Sequence, residues 1–465
     1  LTSAGASAVS PSAPPKPPEA SGGSPAGGAA PAAGGGGGGS KAKVPAFVPS
    51  IEGWRGYASL IIVIYHCGVV NAFPTLDGGV GRAMLVSGFL ALNFFFVISG
   101  FVMFLPVVRA GGEFGSVRAY AVRRVARIVP AFYVSIAGII VLFPWVTPPG
   151  APTFWLSERI QTLLAHLTFL HWEVLSGTID GYYGVPGLLG FGVNGPYWSL
   201  SVEAVFYALL PICAGLYFRR PWIGLGIALV LSTLWRAASW RVPNLMDPKT
   251  TTPGEAFEVG SHLAAQFPAY MGNIALGMTA AWLFAVIVRS EPGSRLARVR
   301  ERASLIQAAS LAVLLVTMWL AGRDGLYPLW GTGPYNHYLR DTLPAIAFTV
   351  LAVASALCAG RARLLADNRL ARWLGQISYG TYVWHVIVIV FLVWTVGWLP
   401  ENSTLAWLKY MAVVIPTALT LGWLSFRFVE RPVMDAARRY LKRRAAAKVP
   451  PAPLDTPTPS GQMSS

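Results

Sequence analysis

An all-α integral membrane protein is the fold class that the sequence predicts, from its composition, its long apolar segments and the placement of its basic residues. Hydrophobic residues make up 54% of the 465 residues and charged residues only 12%, and the mean hydropathy is +0.52. A chain this apolar is typical of proteins whose solvent is the lipid bilayer. An ordinary soluble α/β fold is therefore disfavoured.

Hydropathy predicts about ten transmembrane helices, because about 20 apolar residues are enough to cross a hydrocarbon layer of about 30 Å. The predicted spans are 54–72, 84–107, 128–146, 196–217, 222–240, 262–288, 304–322, 341–359, 376–399 and 405–427. The gaps between these spans are too short for a separate soluble domain.

The formal net charge of +16 follows the predicted topology. With a cytoplasmic amino terminus, each short inner loop is richer in Arg and Lys than its outer neighbours, as the positive-inside rule requires. An even number of spans then places both termini in the cytoplasm. Because topology explains the basic residues, we expect no nucleic acid partner.

Three domains are predicted from composition. Residues 1–49 are rich in Pro, Ala and Gly and are expected to form a disordered cytoplasmic tail, without the apolar core of a signal peptide. Residues 50–435 form the transmembrane domain, and residues 436–465 form a basic and then Pro- and Ser-rich cytoplasmic tail. Cys67, Cys213 and Cys358 lie in apolar spans, so they predict neither a disulfide framework nor a metal site.

The first span carries two ionisable side chains, Arg55 and His66. Eleven residues apart, they share one helical face at a separation of about 16 Å. Arg55 would lie near the cytoplasmic headgroups and His66 deep in the membrane, where a ligand shaped like coenzyme A would reach both. Two alternatives remain open: a structural histidine bonded to a neighbouring helix, and an interfacial ion pair between Arg55 and Glu52.

Other polar residues in the spans also have two interpretations. Ser199, Glu203 and Tyr207 recur at every fourth residue, and Glu203 either forms a structural ion pair or orients an imidazole base or a substrate hydroxyl. Arg124 and Arg127 either anchor the third span at the cytoplasmic edge or bind phosphate. The ninth span holds ISYGTYVWH, which by itself is typical of a structural aromatic face with a satisfied histidine.

Six motifs in the same order resemble those of the membrane-bound acyltransferase 3 family, over about residues 51–432. They are an arginine and a histidine with ten residues between them (Arg55, His66), FFFVISGF, RxxR (Arg124, Arg127), WSLSVE (Trp198 to Glu203), ISYGTYVWH, and FVERP (Phe428 to Pro432). Where the family has WSLSVEEQFY, this chain replaces the second acid by Ala204. We expect no SGNH-type hydrolase domain after the last span, unlike in fused members.

The resemblance implies a transmembrane O-acyltransferase of the cell membrane, the inner membrane if bacterial. It implies transfer of an acyl group, acetyl by preference, from cytoplasmic acetyl-CoA or another acyl-CoA to a hydroxyl of an extracytoplasmic carbohydrate or similar acceptor. No permanently bound cofactor and no metal is expected. The implied site residues are, for catalysis, His66 and Glu203; for donor binding, Arg55, Arg124 and Arg127; and for the acceptor or pocket, Trp198, Ser199, Tyr207, Tyr379 and His385.

Two further classes of function compete with this one. A proton-coupled transporter or flippase for a glycan or lipid-linked sugar would use His66 and Glu203 as a proton relay. A lipid-linked-sugar glycosyltransferase fits less well, because the first outer loop offers only Asp77 as an acid. Within the acyltransferase hypothesis, His66 acts either as a general base or as a covalent acyl carrier.

Overall fold

The computed structural model of the protein describes residues 42–71, 79–146, 160–171, 194–239, 241, 260, 262–323, 341–399 and 401–447. All of them belong to one unit, Lys41–Ser465, and every regular element in them is a helix. Most of the predicted amino-terminal tail, residues 1–49, lies outside the described residues, as do Asp77 and the Pro- and Ser-rich carboxy-terminal end.

The described residues form fifteen α-helices and two irregular turns. A 3-10 turn, Ser87–Leu90, joins the second helix to the third, and a π-helical turn, Phe426–Glu430, joins the last two. The α-helices are α1 (Pro49–Val70), α2 (Val80–Val86), α3 (Ala91–Arg109), α4 (Val117–Val146), α5 (Ile160–Leu167), α6 (Tyr197–Arg219), α7 (Pro221–Ser239), α8 (Phe267–Val288), α9 (Arg295–Glu301), α10 (Ala303–Arg323), α11 (Thr342–Leu357), α12 (Gly360–Arg363), α13 (Arg369–Trp394), α14 (Thr404–Ser425) and α15 (Arg431–Ala446).

Each of the ten predicted spans contains a described helix, and the ninth, 376–399, is helical only as far as Trp394. Eight described segments are long and apolar enough to cross a membrane: Val80–Arg109, Val117–Val141, Tyr197–Arg219, Pro221–Ser239, His262–Val288, Ala303–Gly322, Arg369–Val393 and Thr404–Ala446. The other two predicted spans are α11, with 16 residues, and α1, whose 22 residues include the polar side chains of Glu52, Arg55 and His66. The all-α membrane fold class is therefore confirmed, while the side on which the termini lie stays a prediction.

Helix directions agree with spans that cross the membrane in alternation. Arg55 on α1 contacts Ser378 on α13, and further along the same helices His66 contacts His385. The first and ninth spans therefore run parallel, as two odd-numbered spans of an alternating topology must.

Helices α1 and α13 approach each other closely through glycine. A Cβ atom on Gly56 would lie 2.6 Å from the backbone nitrogen of Gly375, and one on Gly375 would overlap the carbonyl oxygen of Glu52. Because only hydrogen fits at these two positions, the backbones approach as closely as small residues permit. Arg55 then reaches across the contact and donates hydrogen bonds to the Gly375 carbonyl at 2.7 Å and the Ser378 hydroxyl at 3.0 Å.

The FFFVISGF segment makes a second close contact, between α3 and α8. A Cβ atom on Gly100 would overlap the carbonyl oxygen of Ile274, and one on Gly277 would overlap that of Val97. The neighbouring Ser99 faces a cavity instead. The two small residues of this motif therefore have different roles, one in helix packing and one in the cavity lining.

A buried charged network joins α3, α7 and α8 to the start of α11. Arg236 lies 3.7 Å from the carboxylate of Asp341, and both side chains are almost fully buried. Asn93 donates a hydrogen bond to Asp341 at 3.1 Å and accepts one from Asn273 at 3.2 Å. Because a buried charge is costly unless it is paired and hydrogen-bonded, this network constrains how these helices meet.

Four described helices lie outside the predicted spans: α5, α9, α12 and α15. Helix α5 is held to α4 by a hydrogen bond of 2.6 Å from Tyr133 to the carbonyl of Leu167. The ring of His166, in the last turn of α5, stacks on that of His171, with centroids 4.3 Å apart. Burial holds the pKa of His171 well below its usual range, so this ring is neutral.

Helix α15 begins at Arg431 and continues through residues 436–446, the basic part of the predicted carboxy-terminal tail. It packs along α4. Arg438 pairs with Asp435 at 3.1 Å, and ion pairs three residues apart stabilise a helix in water.

The glycine contact between α1 and α13 is testable by stability. Gly56→Leu and Gly375→Leu should each lower the free energy of unfolding by about 3 kcal/mol or more, because the new side chain must displace the backbone of the facing helix. Thermal unfolding of the purified protein in detergent micelles measures the loss.

Gly226→Leu is the matched control, because a Cβ atom at Gly226 meets nothing within 4 Å. Its stability should be unchanged or slightly raised, since glycine is a poor helix former. An equal loss in all three variants would contradict the close-contact explanation.

Candidate functional site

A cavity of about 880 Å³ lies between the start of α1, α4, α13 and the junction of α14 with α15. We call it the arginine vestibule, because the described residues in its lining include one acid, Glu52, and these arginines: Arg55, Arg123, Arg124, Arg127, Arg369, Arg372, Arg431 and Arg438. Within the described residues, Arg123, Arg124 and Arg369 form no ion pair. The vestibule therefore carries excess positive charge and suits a polyanion.

A smaller cavity of about 100 Å³ adjoins the vestibule and extends into the helix bundle. The linings of the two cavities share Arg55, Val102, Arg124 and Arg127. The polar lining of this inner cavity consists, besides the shared arginines, of Ser99, Ser199, Glu203, Tyr207, Ser378, Tyr379 and Tyr382. The arginines of the vestibule therefore lie next to a cavity lined by hydroxyls and one carboxylate.

Arg55 lies at the entrance to the inner cavity. Its guanidinium is 2.6 Å from the Glu52 carboxylate, so the ion pair that the sequence left open is present. The same guanidinium also contacts α13 and lines both cavities. Pairing with Glu52 therefore does not remove Arg55 from the cavity surface.

Arg127 is fixed at the same entrance by an acid from the FVERP motif. Its Nη1 atom lies 2.9 Å from Oε2 of Glu430, whose side chain is 0% exposed. Ser425 also donates a hydrogen bond to Glu430, at 3.2 Å. Glu430 lies in the π-helical turn, a kind of helix irregularity that recurs at functional sites.

Arg124 and Glu203 lie on the wall of the inner cavity. The guanidinium of Arg124 is 6.0 Å from the ring centroid of Tyr207. Tyr207 donates a hydrogen bond to Glu203 at 3.0 Å, and Ser99 donates a second to the other carboxylate oxygen. The periodicity of Glu203 and Tyr207 on one helical face is therefore a direct contact in the structure.

His66 contacts a second histidine, His385, from α13. The Nδ1 atom of His66 lies 2.9 Å from the carbonyl oxygen of Ile62 and 3.2 Å from Nε2 of His385. The sequence left open whether Glu203 forms a structural ion pair, orients an imidazole or orients a substrate hydroxyl, and its hydrogen bonds go to Ser99 and Tyr207. The side chain that contacts the His66 imidazole is therefore His385 of α13. This follows because α13, and not α6, is the helix packed against α1.

Tyr382 lies between the inner cavity and the histidine pair. Among the described residues, His66 is in the lining of neither cavity, but Tyr382 lines the inner one. The Tyr382 hydroxyl is 2.7 Å from that of Ser199, and its ring centroid is 5.7 Å from that of His385. Tyr382 therefore contacts both the inner cavity and the histidine pair.

The remaining predicted residues occupy different places. Tyr379 lines the inner cavity and donates a hydrogen bond to the carbonyl of Ile128 at 2.8 Å. Trp198 instead packs with Phe96 and Tyr270, at centroid distances of 6.3 and 5.5 Å. The structure thus brings most of the predicted residues to one pair of cavities and leaves Trp198 beside them.

Three residues of the site were not predicted individually: Ser378, Tyr382 and Glu430. Each lies within one of the quoted motifs, but its partner on another helix is 183 to 323 residues away along the chain. Hydropathy and spacing carry no signal for contacts at such separations.

The ion pair at the entrance can be tested by stability. Glu430→Gln should lower the free energy of unfolding by about 3 kcal/mol, because it leaves the partly buried guanidinium of Arg127 without a carboxylate at a fully buried position. Replacing both residues by methionine should restore most of the loss, since an apolar pair has no charge to desolvate. Thermal unfolding in micelles measures both effects.

Asp435→Asn is the control for this prediction. The side chains of Asp435 and Arg438 are 38% and 68% exposed, so the change should cost less than about 1 kcal/mol. A Glu430→Gln variant as stable as Asp435→Asn would show that the buried pair does not stabilise the fold.

Comparison with known proteins places the chain in a family. The family model for acyltransferase 3, described as "Acyltransferase domain", matches residues 48–425. "Acyltransferase MdmB" of Streptomyces mycarofaciens is 26% identical over 428 residues, which cover 89% of this chain and 97% of that protein. "Nodulation protein 10" of Rhizobium leguminosarum bv. viciae is 24% identical over 360 residues, 75% of this chain and 83% of the relative.

A third relative is longer than this chain. "Peptidoglycan O-acetyltransferase OatA" of Listeria monocytogenes serovar 1/2a is 24% identical over 407 residues, 83% of this chain but 56% of the relative, so the chain spans just over half of that protein's length. No solved structure matches the chain. Because the family model covers every residue that lines the inner cavity and both members of the histidine pair, this chain belongs to the acyltransferase 3 family.

Proposed function

We propose that this protein is a membrane O-acyltransferase, which moves an acyl group, acetyl by preference, from acyl-CoA to a hydroxyl of a carbohydrate or similar acceptor. The observation that carries the proposal is the arginine vestibule and its connection, past Arg55, Arg124 and Arg127, to the inner cavity. Beyond that cavity lies the histidine pair.

The donor chemistry follows from the vestibule. Guanidinium groups bind phosphates bidentately, and the nucleotide end of coenzyme A carries several phosphates. The helical distance from Arg55 to His66 is about 16 Å, which suits an extended pantetheine arm. By the positive-inside topology the vestibule faces the cytoplasm, so acyl-CoA would enter from that side.

The acceptor class is supported by the relatives. One similar protein is named as a peptidoglycan O-acetyltransferase and another as an acyltransferase. Ser99, Glu203 and Tyr207 form a hydrogen-bonded group within the inner cavity. Such a group is suited to orienting an acceptor hydroxyl, which would approach from the extracytoplasmic side.

In the proposed reaction, His66 acts on the acceptor hydroxyl. Its Nε2 atom takes the hydroxyl proton while the oxygen attacks the thioester carbonyl. The new C–O ester bond forms, the C–S bond breaks, and the imidazolium returns its proton to the coenzyme A thiolate. In the covalent variant, His66 accepts the acyl group first and then passes it to the hydroxyl. Rapid-quench trapping of labelled acyl enzyme in a single turnover distinguishes the two routes.

The function is tested with purified protein, labelled acetyl-CoA and candidate glycans. The wild type should acylate a glycan, and His66→Ala should reduce the rate to background while the protein still folds, because the proton acceptor is lost. Thr317→Val is the control, since its hydroxyl bonds only the Val313 carbonyl of its own helix among the described residues, at 2.7 Å. Full activity in the alanine variant would rule out a catalytic His66.

The same preparation tests the transporter alternative. In proteoliposomes, a flippase or proton-coupled transporter would move a glycan or lipid-linked sugar without acylating it. Transport in the absence of acyl transfer would overturn the acyltransferase proposal.

If the vestibule binds the donor, its arginines should determine the affinity for acetyl-CoA. Arg369→Gln and Arg123→Gln should each raise KM for acetyl-CoA about 10-fold, because one charge-assisted hydrogen bond to phosphate is lost. kcat should change little, since neither residue lies near the histidine pair. Steady-state kinetics at low ionic strength measures the effect, because salt screens these contacts.

Arg300→Gln is the matched control for the vestibule. Arg300 is an exposed arginine of α9 that lies in neither cavity lining, so its KM should equal that of the wild type. Equal KM values in all three variants would indicate that the donor binds elsewhere.

A further inference from the structure

Two histidines from different helices meet in the bundle without a carboxylate between them, and the backbone determines their protonation. Nδ1 of His385 lies 2.7 Å from the carbonyl oxygen of Tyr382. A carbonyl oxygen can only accept a hydrogen bond, so Nδ1 of His385 carries the hydrogen. In the neutral ring, Nε2 of His385 therefore has a free lone pair.

The same reasoning applies to His66. Its Nδ1 atom lies 2.9 Å from the carbonyl oxygen of Ile62, so Nδ1 carries the hydrogen here too. That hydrogen also points towards Nε2 of His385, at an Nδ1 to Nε2 distance of 3.2 Å. His66 is thus the hydrogen-bond donor and His385 the hydrogen-bond acceptor. The Nδ1 hydrogen of His66 meets the Nε2 lone pair of His385.

We infer that His385 is a positioning residue for His66, holding its imidazole in the tautomer that leaves the Nε2 lone pair free to take the acceptor proton. This inference rests on the proposed acyl transfer and deepens it. A histidine with hydrogen on Nε2 could not accept a proton there, so the tautomer decides whether the residue can act as a base.

The histidine pair also stabilises the positive charge that forms on His66 during the reaction. When Nε2 of His66 takes a proton, the imidazolium keeps its Nδ1 hydrogen bonds to the Ile62 carbonyl and to the lone pair of His385. In serine hydrolases a carboxylate has this orienting role. A neutral ring avoids the cost of a permanently charged acid deep in the membrane.

The residues around His385 hold its imidazole ring in place. His385 is 0% exposed, and its partner carbonyl belongs to Tyr382, whose hydroxyl contacts both Ser199 and the carbonyl of Pro196. The ring can therefore rotate only by breaking its own hydrogen bond inside a packed interior. This chain of contacts links the histidine pair to the inner cavity.

Two amide substitutions separate positioning from a structural role. The longer side chain of His385→Gln would place an acceptor oxygen near the former Nε2 position. The shorter side chain of His385→Asn would preserve the hydrogen bond to the Tyr382 carbonyl and lose the contact with His66. We expect His385→Gln to retain kcat within about 10-fold and His385→Asn to lose about 100-fold. KM for acetyl-CoA should stay unchanged in both, because the vestibule is intact.

The opposite order of the two variants, or wild-type kcat in His385→Asn, would overturn the inference. If the wild type itself transfers no acyl group, the proposed function fails instead. NMR of the wild type with isotope-labelled histidine then still decides the positioning role, whether or not the variants fold. A scalar coupling between Nδ1 of His66 and Nε2 of His385 across their hydrogen bond supports it, and either the absence of that coupling or hydrogen on Nε2 of His66 refutes it.

Discussion

The close contact of α1 with α13 is the constraint on which the rest of the site depends. Gly56 and Gly375 let the two backbones meet, and because the helices run parallel, one contact aligns two pairs of polar residues. Arg55 reaches Ser378 near the start of the helices, and His66 reaches His385 deeper in the membrane. A wider separation would remove both pairs, since neither hydrogen bond tolerates an added ångström.

Charge is distributed along the site in a graded way. The vestibule has many arginines and few acids, the entrance has Arg55 and Arg127 each paired with one glutamate, and the described contacts of the histidine pair are to neutral groups. This order follows the rising cost of charge with depth in the bilayer. It also suits a donor whose phosphates stay at the surface while a thioester enters the interior.

The acids show why sequence spacing alone could not assign partners. Glu203 and Glu430 both lie in motifs that the sequence contains, and each needs a partner in the membrane. Glu203 binds two hydroxyls, whereas Glu430 binds Arg127 across 303 residues of sequence. Spacing on one helix predicted the contact of Glu203 with Tyr207, but it carried no information about which helix lies opposite.

By itself the sequence determined the membrane fold class, the positions of ten of the helices, the shared face of Arg55 and His66, and, through the resemblance of six ordered motifs, the family. All of these except the family depend on local composition and on the helical period, which a single segment contains. Only the tertiary structure decided that His385 is the neighbour of His66, that Trp198 lies beside the cavities, and that residues 436–446 form a helix along α4. These properties depend on which helices pack together, and that choice is made by glycine contacts and buried polar pairs between segments far apart in the chain.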